Sequence, residues 1–160
     1  MSLQSNLDAL CRVTYELLNL GLDGNPIYST DFCRLNTEVY HQADALYPLR
    51  GSDVEEEARL CYALLSGYHA TIYDHGNKNQ KIQKVLDRSW KVLDRLPASL
   101  LKCQLLVACY GETFEEELAQ EAHAIIDTWS NRDLTVAERE VLEYLECLVR
   151  NPWPNWAEIE

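Results

Sequence analysis

The chain has 160 residues, 47% of them hydrophobic, a length and composition typical of one domain with a single core. Its 26 acidic and 14 basic residues give a formal net charge of −12, which opposes general binding to nucleic acid or to an anionic membrane. The longest stretch without Asp, Glu, Lys or Arg, residues 60–73, is too short to span a bilayer.

Helical periodicity begins at the N-terminus. A first helix is predicted because hydrophobic residues between Leu3 and Leu18 recur at steps of three and four, and Gly21 and the turn 23–26 close it. A second helix is predicted to begin near Thr30 or Asp31. It should end before Pro48, because the residue preceding a proline is pushed out of helical geometry.

Two helices are hydrophobic on most sides. The first of them, about 53–74, begins with the capping-box pattern at 52–55, and the second, about 98–110, has Pro97 at its start. A helix without a broad polar face is typical of the centre of a bundle. We therefore expect these two helices to be central.

The remaining helices complete an all-α prediction. One follows residues 77–79, and two more begin at capping-box patterns at 113–116 and 135–138. No segment alternates with period two for long enough to form a strand. The sequence thus predicts a single-domain bundle of about seven helices over residues 1–150. The tail 151–160, with Trp153 and Trp156, is expected to pack on it.

The cysteines and histidines do not have the spacing of a metal site or a redox pair. We expect most of the six cysteines to be buried thiols that act as small hydrophobic residues. His69 and His75 are six residues apart and so point in different directions on a helix; His69 is expected in the core or half-buried. No cofactor, metal or enzymatic activity is predicted. A small-ligand or catalytic site near His69 and Tyr73 is the alternative.

Five basic residues of the fourth helix share one narrow arc and form a basic ridge on an acidic protein. They are Lys81, Lys84, Arg88, Lys91 and Arg95. The ridge is either a solvated face that complements Asp87 and Asp94, or a docking strip for an acidic partner. It has no interleaved aromatic residues, which disfavours a nucleic-acid site.

The acidic residues concentrate in the C-terminal part, where residues 96–160 contain 13 Asp or Glu and 4 Lys or Arg. In the seventh helix they continue along its length, at Glu138, Glu140, Glu143 and Glu146. This face either keeps the protein soluble or binds a basic surface of a partner. It is the alternative partner-binding site.

Six segments together resemble the UpxZ family of bacterial transcription anti-terminator antagonists. They are LNTEVY (35–40), ADALYPLRG (43–51), GYHATIYD (67–74), KIQKVLDR (81–88), VLDRLPASLL (92–101) and ELAQEAHAIID (117–127). None is a catalytic signature, and the likeness comes from their number and order across most of the chain.

The resemblance implies regulation by protein contact. Members of the family block UpxY-type anti-terminators, which are NusG-like and encoded by other capsular polysaccharide loci. The partner expected is therefore a NusG-like anti-terminator, with no direct contact to nucleic acid or membrane. The N-terminus lacks the positive flank and apolar run of a secretory signal, so a cytoplasmic protein is expected. A generic helical adaptor with another partner is a further alternative, and the sequence favours no oligomeric state.

Overall fold

The computed structural model describes residues 2–22, 24, 26–72 and 77–150, which contain seven α-helices and no strand. The helices are α1 (Leu3–Leu18), α2 (Ser29–Leu46), α3 (Val54–Ala70), α4 (Lys78–Leu93), α5 (Leu100–Thr113), α6 (Glu116–Asp127) and α7 (Val136–Arg150). The all-α prediction is confirmed. The predicted packing of the tail 151–160 falls outside the described residues.

The helices group into two compact units, one up to Asp94 with α1 to α4 and one from Arg95 with α5 to α7. In the first unit α3 packs against α1, α2 and α4, and in the second α5 packs against α6 and α7. The two apolar helices predicted to be central therefore each lie at the centre of one unit. The extent of the domain, residues 1–150, stays a prediction.

Helix α3 is central because small residues let two neighbours approach its backbone. A Cβ atom added at Gly67 would lie 3.4 Å from the side chain of Leu10 on α1 and 3.6 Å from that of Val39 on α2. Ala58 and Ala63 are also buried on this helix. Close packing of this kind buries apolar surface on several sides of α3 at once, which stabilises the unit.

The predicted boundaries of α3 and α5 are shifted. The cap of α3 is Asp53 instead of Ser52: its carboxylate accepts a hydrogen bond from the Glu56 amide at 2.8 Å, and Glu56 accepts one from the Ser52 amide at 2.8 Å. The helix ends at Ala70 instead of about Asp74. Helix α5 begins at Leu100, one residue after its cap Ser99, and not at Ala98.

The capping box predicted at 113–116 is wrong, because α5 continues through Thr113. The Thr113 hydroxyl donates to the Cys109 carbonyl oxygen at 3.2 Å and accepts from the Glu115 amide at 3.3 Å. Phe114 then adopts the left-handed conformation, with φ 53°, and separates α5 from α6. Helix α6 begins at Glu116 after Glu115, which forms no side-chain cap.

Burial differs from the prediction at the edges of helix faces. Three cysteines, Cys61, Cys103 and Cys109, are buried as expected, but Cys11, Cys33 and Cys147 are exposed. Leu18 and Val149, which continue the hydrophobic spacing of α1 and α7, are exposed as well. The hydrophobic arcs of α1 and α7 are wider than the faces that neighbouring helices cover.

In the turn between α2 and α3, adding one methyl group at Gly51 should strongly destabilise the protein. A Cβ atom at Gly51 would lie 2.2 Å from the backbone nitrogen of Glu57. We expect Gly51→Ala to lower the free energy of unfolding by about 1–3 kcal/mol or more, because backbone cannot yield cheaply. Gly67→Ala is the control, since it meets only ordinary contacts and gains helix propensity. Urea denaturation measures both, and equal stability of the two variants would contradict the prediction.

Candidate functional site

The basic ridge divides into inward and outward residues. Lys81 and Arg88 are directed toward α2 and α3, whereas Lys84 and Lys91 are exposed. Arg95 lies beyond the last residue of α4, Leu93, and belongs to the second compact unit. The five residues therefore do not form one continuous solvent-exposed strip.

Lys81 is bound in a cluster of tyrosines. Its ammonium lies 2.7 Å from the Asp44 carboxylate and 5.6, 5.6 and 5.9 Å from the ring centroids of Tyr40, Tyr47 and Tyr68. The Tyr68 hydroxyl donates to the same carboxylate at 2.7 Å. Burial and this hydrogen bond raise the pKa of Tyr68 far above its ordinary value, so it remains a donor. The cluster connects α4 to α2 and α3 through ionic and cation–π contacts.

Arg88 is the second inward cation. Its guanidinium donates to both oxygens of Glu57, at 2.8 and 3.0 Å, and to the carbonyl oxygens of Tyr47 at 3.2 Å and Leu49 at 2.9 Å. Glu57 also accepts from the Gly51 amide at 2.8 Å. Burial alone would raise the pKa of Glu57, but the bonds from Arg88 and Gly51 outweigh it and lower the pKa. Arg88 therefore has a structural role.

Outward of these residues, the exposed charges of α4 alternate in sign. Lys84 and Lys91 are interleaved with Asp87 and Asp94, all four exposed, at helical steps of three and four. With Arg95, which is also exposed, residues 84–95 present three exposed basic and two exposed acidic side chains. This interleaving favours the interpretation of a solvated face whose charges largely offset one another.

Glu138 in the first turn of α7 is buried and serves as a cap. It accepts from the Arg132 guanidinium at 2.7 and 2.5 Å and from the Thr135 amide at 2.9 Å, while the Thr135 hydroxyl accepts from the Glu138 amide at 3.1 Å. The capping box predicted at 135–138 is present. The bonds from Arg132, followed by that from Thr135, lower the pKa of Glu138 to about 2.

The other three acids of α7, Glu140, Glu143 and Glu146, are exposed. Two arginines, Arg139 and Arg150, are exposed on the same helix. Exposed hydrophobic residues accompany them, namely Val136, Tyr144 and Val149. The outer surface of α7 is therefore acidic and apolar at once, and we refer to the three exposed acids as the α7 acidic face.

The structure describes only some of the residues considered for catalysis. His69 is exposed, not core or half-buried as expected, and Tyr73 and His75 fall outside the described residues. Burial raises the pKa of the Cys61 and Cys103 thiols to about 11, which disfavours the reactive thiolate at neutral pH. Within the described ranges, no group of three or more His, Cys, Asp or Glu residues could hold a metal ion.

The contacts found by the structure include partners that the sequence did not indicate. The two inward cations of α4 are bound by residues of other helices. Asp44 and Tyr40 lie on α2, Tyr47 directly follows α2, and Glu57 and Tyr68 lie on α3. Sequence spacing relates residues within one helix only. A weak signal was the position of Lys81 and Arg88 at the core edge of the basic arc. On a helical wheel they lie about 60° and about 40° closer to the side of Ile82 and Val85 than Lys84 does.

These features define a class: helical proteins whose inner ionic groups hold the fold together and whose functional contacts lie on the surface. Residues 7–111 match the sequence model of the UpxZ family of transcription anti-terminator antagonists. A crystal structure of a transcription anti-terminator antagonist UpxZ from Bacteroides uniformis ATCC 8492 is 48% identical, with a TM-score of 0.88, and the alignment covers 100% of this chain and 99% of that chain.

The chain belongs to the UpxZ family of transcription anti-terminator antagonists, which confirms the resemblance seen in the sequence. Its role is regulatory and not enzymatic, as is that of the family. None of the curated proteins matches it. Among the described residues, no helix is both long and apolar enough to cross a membrane.

The contacts of Arg88 predict a difference between two basic residues of α4. Arg88→Lys keeps the positive charge but cannot reach both oxygens of Glu57 and two carbonyl groups together. We expect it to lower the free energy of unfolding by about 2 kcal/mol, because the Glu57 carboxylate loses its paired donor, whereas the Tyr47 and Leu49 carbonyl oxygens still accept from Arg50. The exposed Lys84→Arg should change it by less than about 0.5 kcal/mol. Urea denaturation measures both, and a fully stable Arg88→Lys protein would show that these bonds contribute little.

The pKa of Glu138 predicts a change in acid stability. Because it is lowered from 4.5 to about 2, Glu138 stabilises the fold above about pH 4.5, and this contribution is lost as the pH falls toward 2. We expect Glu138→Gln to lower the melting temperature at pH 7 and to flatten its decrease between pH 4.5 and 2. Glu143→Gln, exposed on the same helix, should behave like the unmodified protein. Parallel pH profiles of the Glu138→Gln and unmodified proteins would contradict this assignment.

Proposed function

We propose that this protein binds a NusG-like, UpxY-type transcription anti-terminator encoded by another capsular polysaccharide locus. Binding prevents the anti-terminator from engaging elongating RNA polymerase or its recognition element, so that one locus is expressed at a time. The observation that carries this proposal is the 48% identity to an UpxZ antagonist over 100% of the chain. The encounter takes place in the cytoplasm, where the polymerase works.

The charge of the protein supports a protein partner over nucleic acid. The net charge is −12. Two basic residues of α4, Lys81 and Arg88, are already paired with the acids Asp44 and Glu57 of the same unit. Affinity for a phosphate backbone needs several free cations on one surface. An antagonist of this charge is better suited to a basic surface of the anti-terminator itself.

Of the two charged surfaces, we propose the α7 acidic face as the electrostatic contact. The unit from Arg95 onward contains 13 acidic and 5 basic residues, a balance of −8. The alternative strip keeps Lys84, Lys91 and Arg95 exposed, with Asp87 and Asp94 between them in the sequence. Exposed charges of this kind accelerate association more than they raise affinity. Glu138 does not take part, because Arg132 already binds it.

Charge reversal tests the choice between the surfaces. The first variant carries Lys at positions 140, 143 and 146 in place of Glu140, Glu143 and Glu146. We expect it to associate with a purified NusG-like anti-terminator about tenfold more slowly at low salt, with a smaller effect at high salt. Lys84 and Lys91 changed together to Glu should have an effect below about twofold. Surface plasmon resonance at two ionic strengths measures both rates, with circular dichroism to confirm that each variant is folded.

The outcomes separate the proposals. A large loss with the Lys84 and Lys91 variant alone would assign the contact to α4. If neither variant changes association, electrostatic docking is wrong although binding itself stands. If the unmodified protein binds no NusG-like anti-terminator at micromolar concentration and leaves anti-termination in a reconstituted transcription assay unchanged, the proposed function is wrong.

A further inference from the structure

Large hydrophobic side chains are concentrated on the exterior at the end of α1 and the start of α2. Tyr15, Leu18, Leu22, Ile27 and Tyr28 have exposed fractions between 57% and 75%. They make up half of the large hydrophobic residues that the described part of the chain exposes. Single exposed hydrophobic residues are normal on a protein surface, but five within 14 positions are not scattered. We name these five residues the α1–α2 patch.

The five residues lie where α1 ends and α2 begins. Tyr15 and Leu18 are neighbours on α1, and the Leu22 amide bonds to the Asn19 carbonyl oxygen at 3.2 Å in the turn that follows. Ile27 returns against this turn, since a Cβ atom at Gly21 would lie 2.9 Å from its Cδ1 atom. Tyr28 follows directly and precedes the first turn of α2, which packs against α1.

The fold does not use this surface for its own core. Helix α1 already buries a different set of residues, Leu7, Leu10, Val13, Thr14 and Leu17, on the side that packs against α2 and α3. Tyr15 and Leu18 lie on an adjacent side of the same helix. The patch residues stay more than half exposed in the described part of the chain, as expected for a surface that an external occupant covers.

The charges around the patch indicate what the occupant is. The described charged residues between 2 and 33 are three acids, Asp8, Glu16 and Asp31, and one base, Arg12. A second copy of the chain, docked symmetrically, would bring these acids close to their own counterparts, which is unfavourable. A partner with an apolar surface bordered by Lys or Arg matches both the patch and its surroundings.

We infer that the α1–α2 patch is the surface on which the anti-terminator docks, through an apolar segment with basic residues beside it. The inference rests on the proposed function and names its contact. The patch lies within residues 7–111, the range that matches the family model. Apolar burial at the patch sets how long the complex lasts, while exposed charges set how fast it forms.

A double substitution with a matched control tests the inference. Leu18→Ser with Leu22→Ser removes two exposed side chains that the core does not need, so the fold is retained. We expect the Kd for a purified NusG-like anti-terminator to rise about a hundredfold, chiefly through faster dissociation. Ile72→Ser is the control, because Ile72 lies in the same unit outside the patch and is 68% exposed. It should change the Kd by less than about twofold.

A second pair of substitutions tests the chemistry of the partner. Asp8→Asn with Glu16→Gln should slow association a few-fold at low salt and weaken its dependence on salt, because the partner is expected to be basic. An unchanged or faster association would show that the segment docked at the patch is not basic and would overturn that part of the inference.

The results distinguish this inference from the function on which it depends. If the unmodified, control and Leu18/Leu22 proteins all bind equally well, the docking surface is elsewhere and the inference is wrong, while the proposed function stands. If none binds, the proposed function is wrong and the inference with it. Sedimentation of the protein alone supplies a further test: a dimer that becomes a monomer in the Leu18/Leu22 variant would assign the patch to a second copy and overturn the inference.

Discussion

The first unit depends on the bonds of Arg88. The Arg88 guanidinium binds the Glu57 carboxylate and, together with Arg50, the carbonyl oxygens of Tyr47 and Leu49 that follow the end of α2. Glu57 in turn holds the Gly51 amide. The connection between α2 and α3 is thus organised by a side chain from α4. Only arginine has the planar set of donors that reaches an acid and two carbonyl groups together.

This constraint explains why the basic residues of an acidic chain do not act as one surface. Lys81 and Arg88 are both bound to acids of neighbouring helices, at Asp44 and Glu57, and they hold α4 against α2 and α3. Pairing inside the unit removes them from any contact with a partner. The exposed Lys84 and Lys91 remain, with aspartates between and after them. Charge that looks continuous on a helical wheel is therefore divided between structural and solvent-exposed roles.

Hydrophobic periodicity predicts helices, but it does not predict how the helices pack against one another. It predicted seven helices and two central apolar ones, because apolar spacing reports the period of the backbone. It placed the ends of α3 and α5 one to four residues away, because Asp53 and Ser52 are equally plausible caps and only the three-dimensional turn decides between them. It did not predict Asp44 or Glu57 as partners of the basic residues, since pairing between helices depends on packing that no spacing encodes.

The same limit applies to the exterior, and there it has a functional consequence. A hydrophobic arc shows that a helix has an apolar side, but it does not show how much of that side neighbouring helices cover. Leu18 lies on the part of the apolar side of α1 that stays exposed. A regulator that inhibits by occupying its target needs a surface of this kind, because charge alone gives rapid but short-lived encounters in an ionic solution. Each exposed leucine that a partner covers fully can contribute about 1.5–3 kcal/mol of binding free energy. An acidic exterior that discourages association between copies, combined with an apolar area small enough to leave the protein folded without a partner, satisfies both requirements at once.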